Sequence, residues 1–129
     1  MPKIPLHTDN APGAIGPYSQ GVAANGFVFT SGQLPIDPKT GTMPDGLKTQ
    51  ALTALRNVEA ILLAGGSSLA HVVKVTVFLA DIADFKAVNE VYSEVFAGAK
   101  PFPARSAVQV AALPRPGARL EIEAVGLVK

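Results

Sequence analysis

Val72-Val73-Lys74-Val75-Thr76-Val77-Phe78-Leu79-Ala80 is apolar on both faces and rich in β-branched side chains, which predicts a strand inside a sheet. Upstream of it, Ala51, Leu52, Leu55, Val58, Ile61 and Leu62 recur at helical spacing. A helix is therefore expected from about Lys48 to Ala64, stopped by Gly65-Gly66. Downstream, Asp81 and Asp84 suit a helix N-terminus, and Phe85, Val88, Val91, Tyr92, Val95 and Phe96 mark one helical face to about Ala97. Pro101 and Pro103 forbid further helix. Nearer the N-terminus, Asn25-Gly26 separates two short apolar runs and reads as a two-residue hairpin turn. Two strands, about Arg105–Leu113 and Arg119–Val128, finish the chain on either side of Pro114-Arg115-Pro116-Gly117. The order ββαβαββ predicts an α+β fold. Two helices cover one face of a single sheet of roughly five or six strands, in one domain over residues 1–129.

Composition narrows the chemistry. The 129 residues include no cysteine, which excludes disulfides, thiolate nucleophiles and zinc–thiolate sites. The two histidines, His7 and His71, are too few for a His-rich metal cage. A net charge of +1 lacks the cationic excess that drives nucleic-acid binding, so no nucleic-acid partner is expected. Met1–Asn10 has none of the apolar core, roughly 7–15 residues long, of a secretory leader. No apolar run approaches the ~20 residues that cross a bilayer, so a soluble, cytoplasmic protein without membrane contact is expected. Charged residues make up 16% of the chain, against about 25% in ordinary soluble domains. Too little charge remains to coat a monomer, and the sequence predicts a homo-oligomer.

Nucleotide-binding glycine loops, nucleophile elbows and HExxH are all absent from the sequence. What remains is a set of polar residues in the terminal strands. Alternation groups Arg105, Ala107 and Gln109 on one face, and Glu121 with Glu123 on another; Leu120, Ile122 and Ala124 point the opposite way. If the β-branched faces meet the helices, Arg105, Glu121 and Glu123 project together from the helix-free face. They would form either a salt bridge between strands or subunits, or an anion site with an acid/base group alongside. Tyr18, Ser31-Gly32 (whose backbone N–H groups could meet an anion) and Asn89 are further candidates; each also has an ordinary reading as packed aromatic, turn or helix-surface residue.

Phe102-Pro103-Ala104-Arg105-Ser106, followed by Leu120-Glu121-Ile122-Glu123-Ala124, resembles the C-terminal signature of the RidA (YjgF-type) reactive-intermediate deaminases. Ala14-Ile15-Gly16-Pro17-Tyr18-Ser19-Gln20-Gly21 and Phe29-Thr30-Ser31-Gly32-Gln33-Leu34-Pro35 resemble its N-terminal blocks, and Val75–Leu79 with Asp84-Phe85 its middle. The resemblance implies a homotrimer around a central barrel. Small 2-imino acids, supplied by pyridoxal-phosphate dehydratases, would be hydrolysed to 2-oxo acids and ammonia in inter-subunit clefts, with no cofactor and no metal. It implies that Arg105 binds the substrate carboxylate and Glu121 handles the water. Tyr18, Ser31, Gly32, Asn89 and the Ala107 backbone would line the pocket, and Glu123 would pair with a nearby cation. Many relatives carry Cys where this chain has Ala107, so only a backbone contact survives there. Two alternatives stand beside this expectation: a non-catalytic, carboxylate-binding or chaperone-like trimer, and a sister-branch deaminase with another substrate. Nuclease activity finds no basic face and no histidine pair to carry it.

Overall fold

Asn25 and Gly26 take φ values of 52° and 82°, the positive pair that a tight hairpin requires. They join β2 (Gly21–Ala24) to β3 (Phe27–Thr30) in the computed structural model, which describes residues 2–129. The chain then runs through α1 (Leu47–Ala64), β4 (Val72–Leu79), α2 (Phe85–Val95), β5 (Ala104–Gln109) and β6 (Leu120–Leu127). A short β1 (Ile4–Leu6) precedes them and pairs with β2. Three residues, one of them proline, carry no alternation to read, and this strand completes a sheet of six.

The strand order is β1-β2-β3-β6-β4-β5. Both β3 and β4 run antiparallel to β6, which lies between them; they are therefore parallel to each other, linked by α1 across the sheet. A second crossover through α2 lays β5 parallel to β4 at the sheet's edge. The α1 end is closed as its sequence predicts. Gly66 adopts φ 82°, the Ser67 N–H donates to the Leu62 carbonyl at 2.9 Å, and the Gly66 N–H donates to Leu63 at 3.1 Å.

Both helices pack on one sheet face. Ala51, Leu55, Val58 and Leu62 of α1, Val88 and Val91 of α2, and Phe96 just past its end meet Val28, Val75, Val77, Leu79, Leu120, Ile122 and Ala124. Full burial of each large aliphatic side chain contributes about 1.5–3 kcal/mol. Among the described residues no helix covers the other face, which exposes Phe29 and Val108 to 44% and 45%.

Two boundaries differ from expectation. The β5 strand ends at Gln109, short of Leu113, because its only neighbour, β4, ends at Leu79. A 3₁₀ turn occupies Ile82–Asp84 and α2 begins at Phe85, ending at Val95 before Ala97. The Asp81 carboxylate accepts the Ala83 N–H at 2.9 Å and so caps the short turn ahead of the helix.

Candidate active site

Arg105 lies in register with Val75 of β4, and Val75 with Ala124 of β6. Val75 and Ala124 are both buried beneath the helices, so Arg105 belongs to the helix-covered face. This corrects the alternation reading, which placed Arg105 beside Glu121 and Glu123 on the open face. In the edge strand, polarity misleads: α2 overhangs the rim incompletely, which gives a guanidinium a polar exit on the covered side. Val108 meanwhile faces the uncovered side in register with Phe78.

The guanidinium is held in place. Its Nη1 donates to Asn89 Oδ1 at 2.6 Å, and its central carbon stands 4.6 Å from the centre of the Tyr92 ring and 5.2 Å from that of Phe85. Asn89, Tyr92, Ser93, Phe102, Pro103 and Arg105 line a recess of about 310 Å³; a second hollow beside it is walled by Ile82, Phe85, Arg105 and Ala107. Backbone direction adds a donor. The Val110 N–H donates to Leu79 of β4 at 2.9 Å, so the even-numbered residues of β5 turn their N–H groups inward. By strand alternation Arg105, Ala107 and Gln109 turn theirs to the free edge. Ala107 thus offers a backbone N–H at the free edge, beside the hollow that Arg105 and Ala107 share, a donor independent of its side chain.

Glu121 and Glu123 do share a face, the open one, in register with Phe78 and Thr76. A Cβ at Gly32 would overlap the Glu121 carboxylate and lie 2.8 Å from its Cδ, so the absence of a side chain at 32 makes room for this acid. Burial is the main cause that raises the Glu121 pKa above the usual carboxyl range, and the Glu123 charge adds to it. Gly32, which Glu121 abuts, also lines a hollow of about 270 Å³ with Tyr18, Ile15, Gln33 and Leu34. Ser31 supports it without a spare donor: its N–H donates to the Gln20 carbonyl at 2.9 Å and its Oγ to Ser19 at 2.6 Å. Glu123 makes no ion pair within 4.0 Å among the described residues, so the pairing expected of it does not form within one chain.

The candidates therefore form two half-sites on opposite faces of one sheet. Arg105, Asn89 and Ala107 make up one; Glu121, Gly32, Ser31 and Tyr18 make up the other. A family model described as Endoribonuclease L-PSP matches residues 8–128. A 2-iminobutanoate/2-iminopropanoate deaminase of Salmonella typhimurium is 48% identical over 123 residues, 95% of each chain. The chain belongs to the RidA (YjgF-type) family. Solved structures of this family share its fold. Escherichia coli TdcF with bound serine is 46% identical, superposes with a TM-score of 0.92, and covers 98% of this chain and 99% of its own. The YjgF gene product of Escherichia coli is 45% identical, with a TM-score of 0.92 and coverage of 98% and 99%.

Sequence reading missed the supports of the RidA-family site. Phe85 and Tyr92 read as core-facing helix residues, yet each also presents a ring to Arg105. Gln20, Gln33, Gln50 and Asn57 are buried amides that tie loops to the sheet and α1. Gln20 alone accepts from the Thr8 N–H and donates to Thr8, Ala11 and Pro12 carbonyls. An isolated glutamine in a loop gives no sequence signal that separates such a clamp from a solvated side chain.

Proposed function

We propose that this chain hydrolyses small 2-imino acids, the imine form of enamines such as 2-aminoacrylate, to 2-oxo acids and ammonia. One observation carries the reading: a guanidinium fixed by Asn89 stands beside the outward Ala107 N–H, which is a carboxylate grip. The deaminase name of the Salmonella relative supports the same chemistry. Glu121 lies on the opposite sheet face, so the complete cleft needs two copies: one supplies Arg105, Asn89 and Ala107, the next supplies Glu121, Gly32 and Tyr18. A homotrimer closes that head-to-tail arrangement. The exposed Phe29 and Val108 on the open face give such an assembly apolar surface to bury.

The reaction needs few groups. The C=N carbon is already electrophilic, so no cofactor is called for. Glu121 takes a proton from water as the oxygen adds to the carbon of the protonated imine (C=NH2+), giving a tetrahedral 2-amino-2-hydroxy acid. Glu121 returns the proton to the amino nitrogen, ammonia leaves, and the hydroxyl proton passes to water, which completes the carbonyl. Burial, which raises the Glu121 pKa, suits a carboxyl that must both accept and return a proton. Arg105 holds the substrate carboxylate throughout and positions C2 against the water. Pyridoxal-phosphate dehydratases, which release such imines, are the enzymes this activity would follow.

Ammonia release from 2-iminopropanoate generated in situ by an amino-acid oxidase tests the proposal. The wild type accelerates release. Arg105→Ala abolishes it, and Arg105→Lys restores little, because a point charge cannot make the two-pronged grip. A folded Arg105→Ala protein with near-normal release overturns the site. Wild-type protein that binds 2-oxo acids without accelerating release establishes the carboxylate-binding alternative.

A further inference from the structure

Arg105 depends on its pose as well as its charge, because two N–H groups must meet one carboxylate in plane. Flexible arginine side chains hold no such pose unaided, and here three residues of one helix constrain it. Phe85, Asn89 and Tyr92 follow one another at i, i+4 and i+7 along α2 and present a single stripe to the guanidinium. Asn89 takes one N–H, and the two rings approach the cation at 5.2 and 4.6 Å. Tyr92 is the rigid member: only 4% exposed, it packs against Phe96 with ring centres 4.6 Å apart. Its hydroxyl is buried without a hydrogen-bond partner among the described residues. An orphan hydroxyl destabilises a fold. The useful part of this side chain at the site is therefore the ring.

We infer that Tyr92 is a positioning residue for substrate binding: its ring, with that of Phe85, fixes the Arg105 guanidinium so that its remaining N–H groups and the Ala107 N–H converge on one carboxylate. The inference rests on the reading of Arg105 as the carboxylate anchor. It assigns the Tyr92 hydroxyl no part in the reaction. Loss of the ring loosens the grip on substrate and product alike, so it acts on KM and leaves the chemical step largely intact.

The test compares wild type, Tyr92→Phe, Tyr92→Leu and Arg105→Ala. Calorimetry gives the dissociation constant of 2-oxobutanoate, and ammonia release from oxidase-generated 2-iminobutanoate gives KM and kcat per folded protein. Tyr92→Leu raises the dissociation constant and KM about tenfold, the scale of one partly desolvated cation–π contact, with a much smaller change in kcat. Tyr92→Phe keeps wild-type constants at an equal or higher melting temperature. If Tyr92→Leu does not fold, Phe85→Leu, at a half-buried position, is expected to raise KM in the same direction by a smaller factor. Unchanged affinity in the folded ring-deletion variant, with binding lost in Arg105→Ala, overturns the positioning role and leaves the anchor standing. Loss of turnover in Tyr92→Phe also overturns it, by moving the role to the hydroxyl. Retained binding in Arg105→Ala removes the anchor reading and this inference with it.

Discussion

Glu121 and Glu123 sit two residues apart on one strand face, and only Glu121 meets the space above Gly32. Burial first, and the Glu123 charge second, raise the Glu121 pKa. If Glu121 must be ionised to take a proton from water, the rate falls on the acid side through that raised value. Glu123→Gln removes one of the two raising causes, so the acid limb of the pH–rate profile moves to lower pH while the plateau rate is kept. Glu121→Gln instead removes the limb together with most of the turnover, on the order of 10²–10⁴ in rate. Stability follows the same sign. A carboxyl whose pKa rises on folding favours the folded state when protonated, and that contribution is lost as pH climbs through the raised value. Replacing its charge at neutral pH therefore leaves melting unchanged or slightly higher. A profile unmoved by Glu123→Gln, or a larger rate loss at Glu123 than at Glu121, shows that the carboxylate is wrongly assigned.

At the scale of elements, β5 decides how the site is read. Its sequence alternates Arg/Ala/Gln against Ser/Val/Val, and the aliphatic side looks like the buried one. The parallel register with β4 reverses that: Val108 faces the helix-free side, 45% exposed, and Arg105 faces α2. In the proposed trimer, a second copy packs over this exposed valine. Val108→Asp is accordingly expected to yield a folded protein, with wild-type far-ultraviolet circular dichroism, that elutes near 13.3 kDa and has lost deamination while keeping Arg105 intact. A trimeric, active Val108→Asp protein removes this face from the interface. Both helices, the hairpin and the inner strand were legible because each carries its own period and its own turn residues: Asn25-Gly26, Gly65-Gly66 and Asp81 all do locally what their chemistry predicts. The face of β5 was not legible. It depends on which strand β5 joins and in which direction, a long-range pairing absent from the local pattern. The buried amides were hidden for the same reason, since the carbonyls they serve belong to loops far along the chain, as when Gln50 donates to Gly117.

For the whole molecule, the sheet separates what the chemistry must unite. Arg105 and Glu121 stand on opposite faces, and no side-chain movement within one chain brings them together across a packed core. On the proposed reading, activity is a property of the assembly, with each cleft taking its carboxylate anchor from one subunit and its acid/base group from the next. The sparse charge of the sequence, 16%, fits a molecule that hides surface in this way. Subunit mixing tests the claim directly. Arg105→Ala and Glu121→Gln proteins are each expected to be inactive trimers. Co-refolded in equal amounts, with hybrid formation verified by native mass spectrometry, they should regain deamination, because about a quarter of the clefts in randomly mixed head-to-tail rings pair an intact Arg105 with an intact Glu121. Recovery near that fraction of wild-type turnover is the predicted result; verified hybrids that remain as inactive as their parents contradict a site shared between subunits.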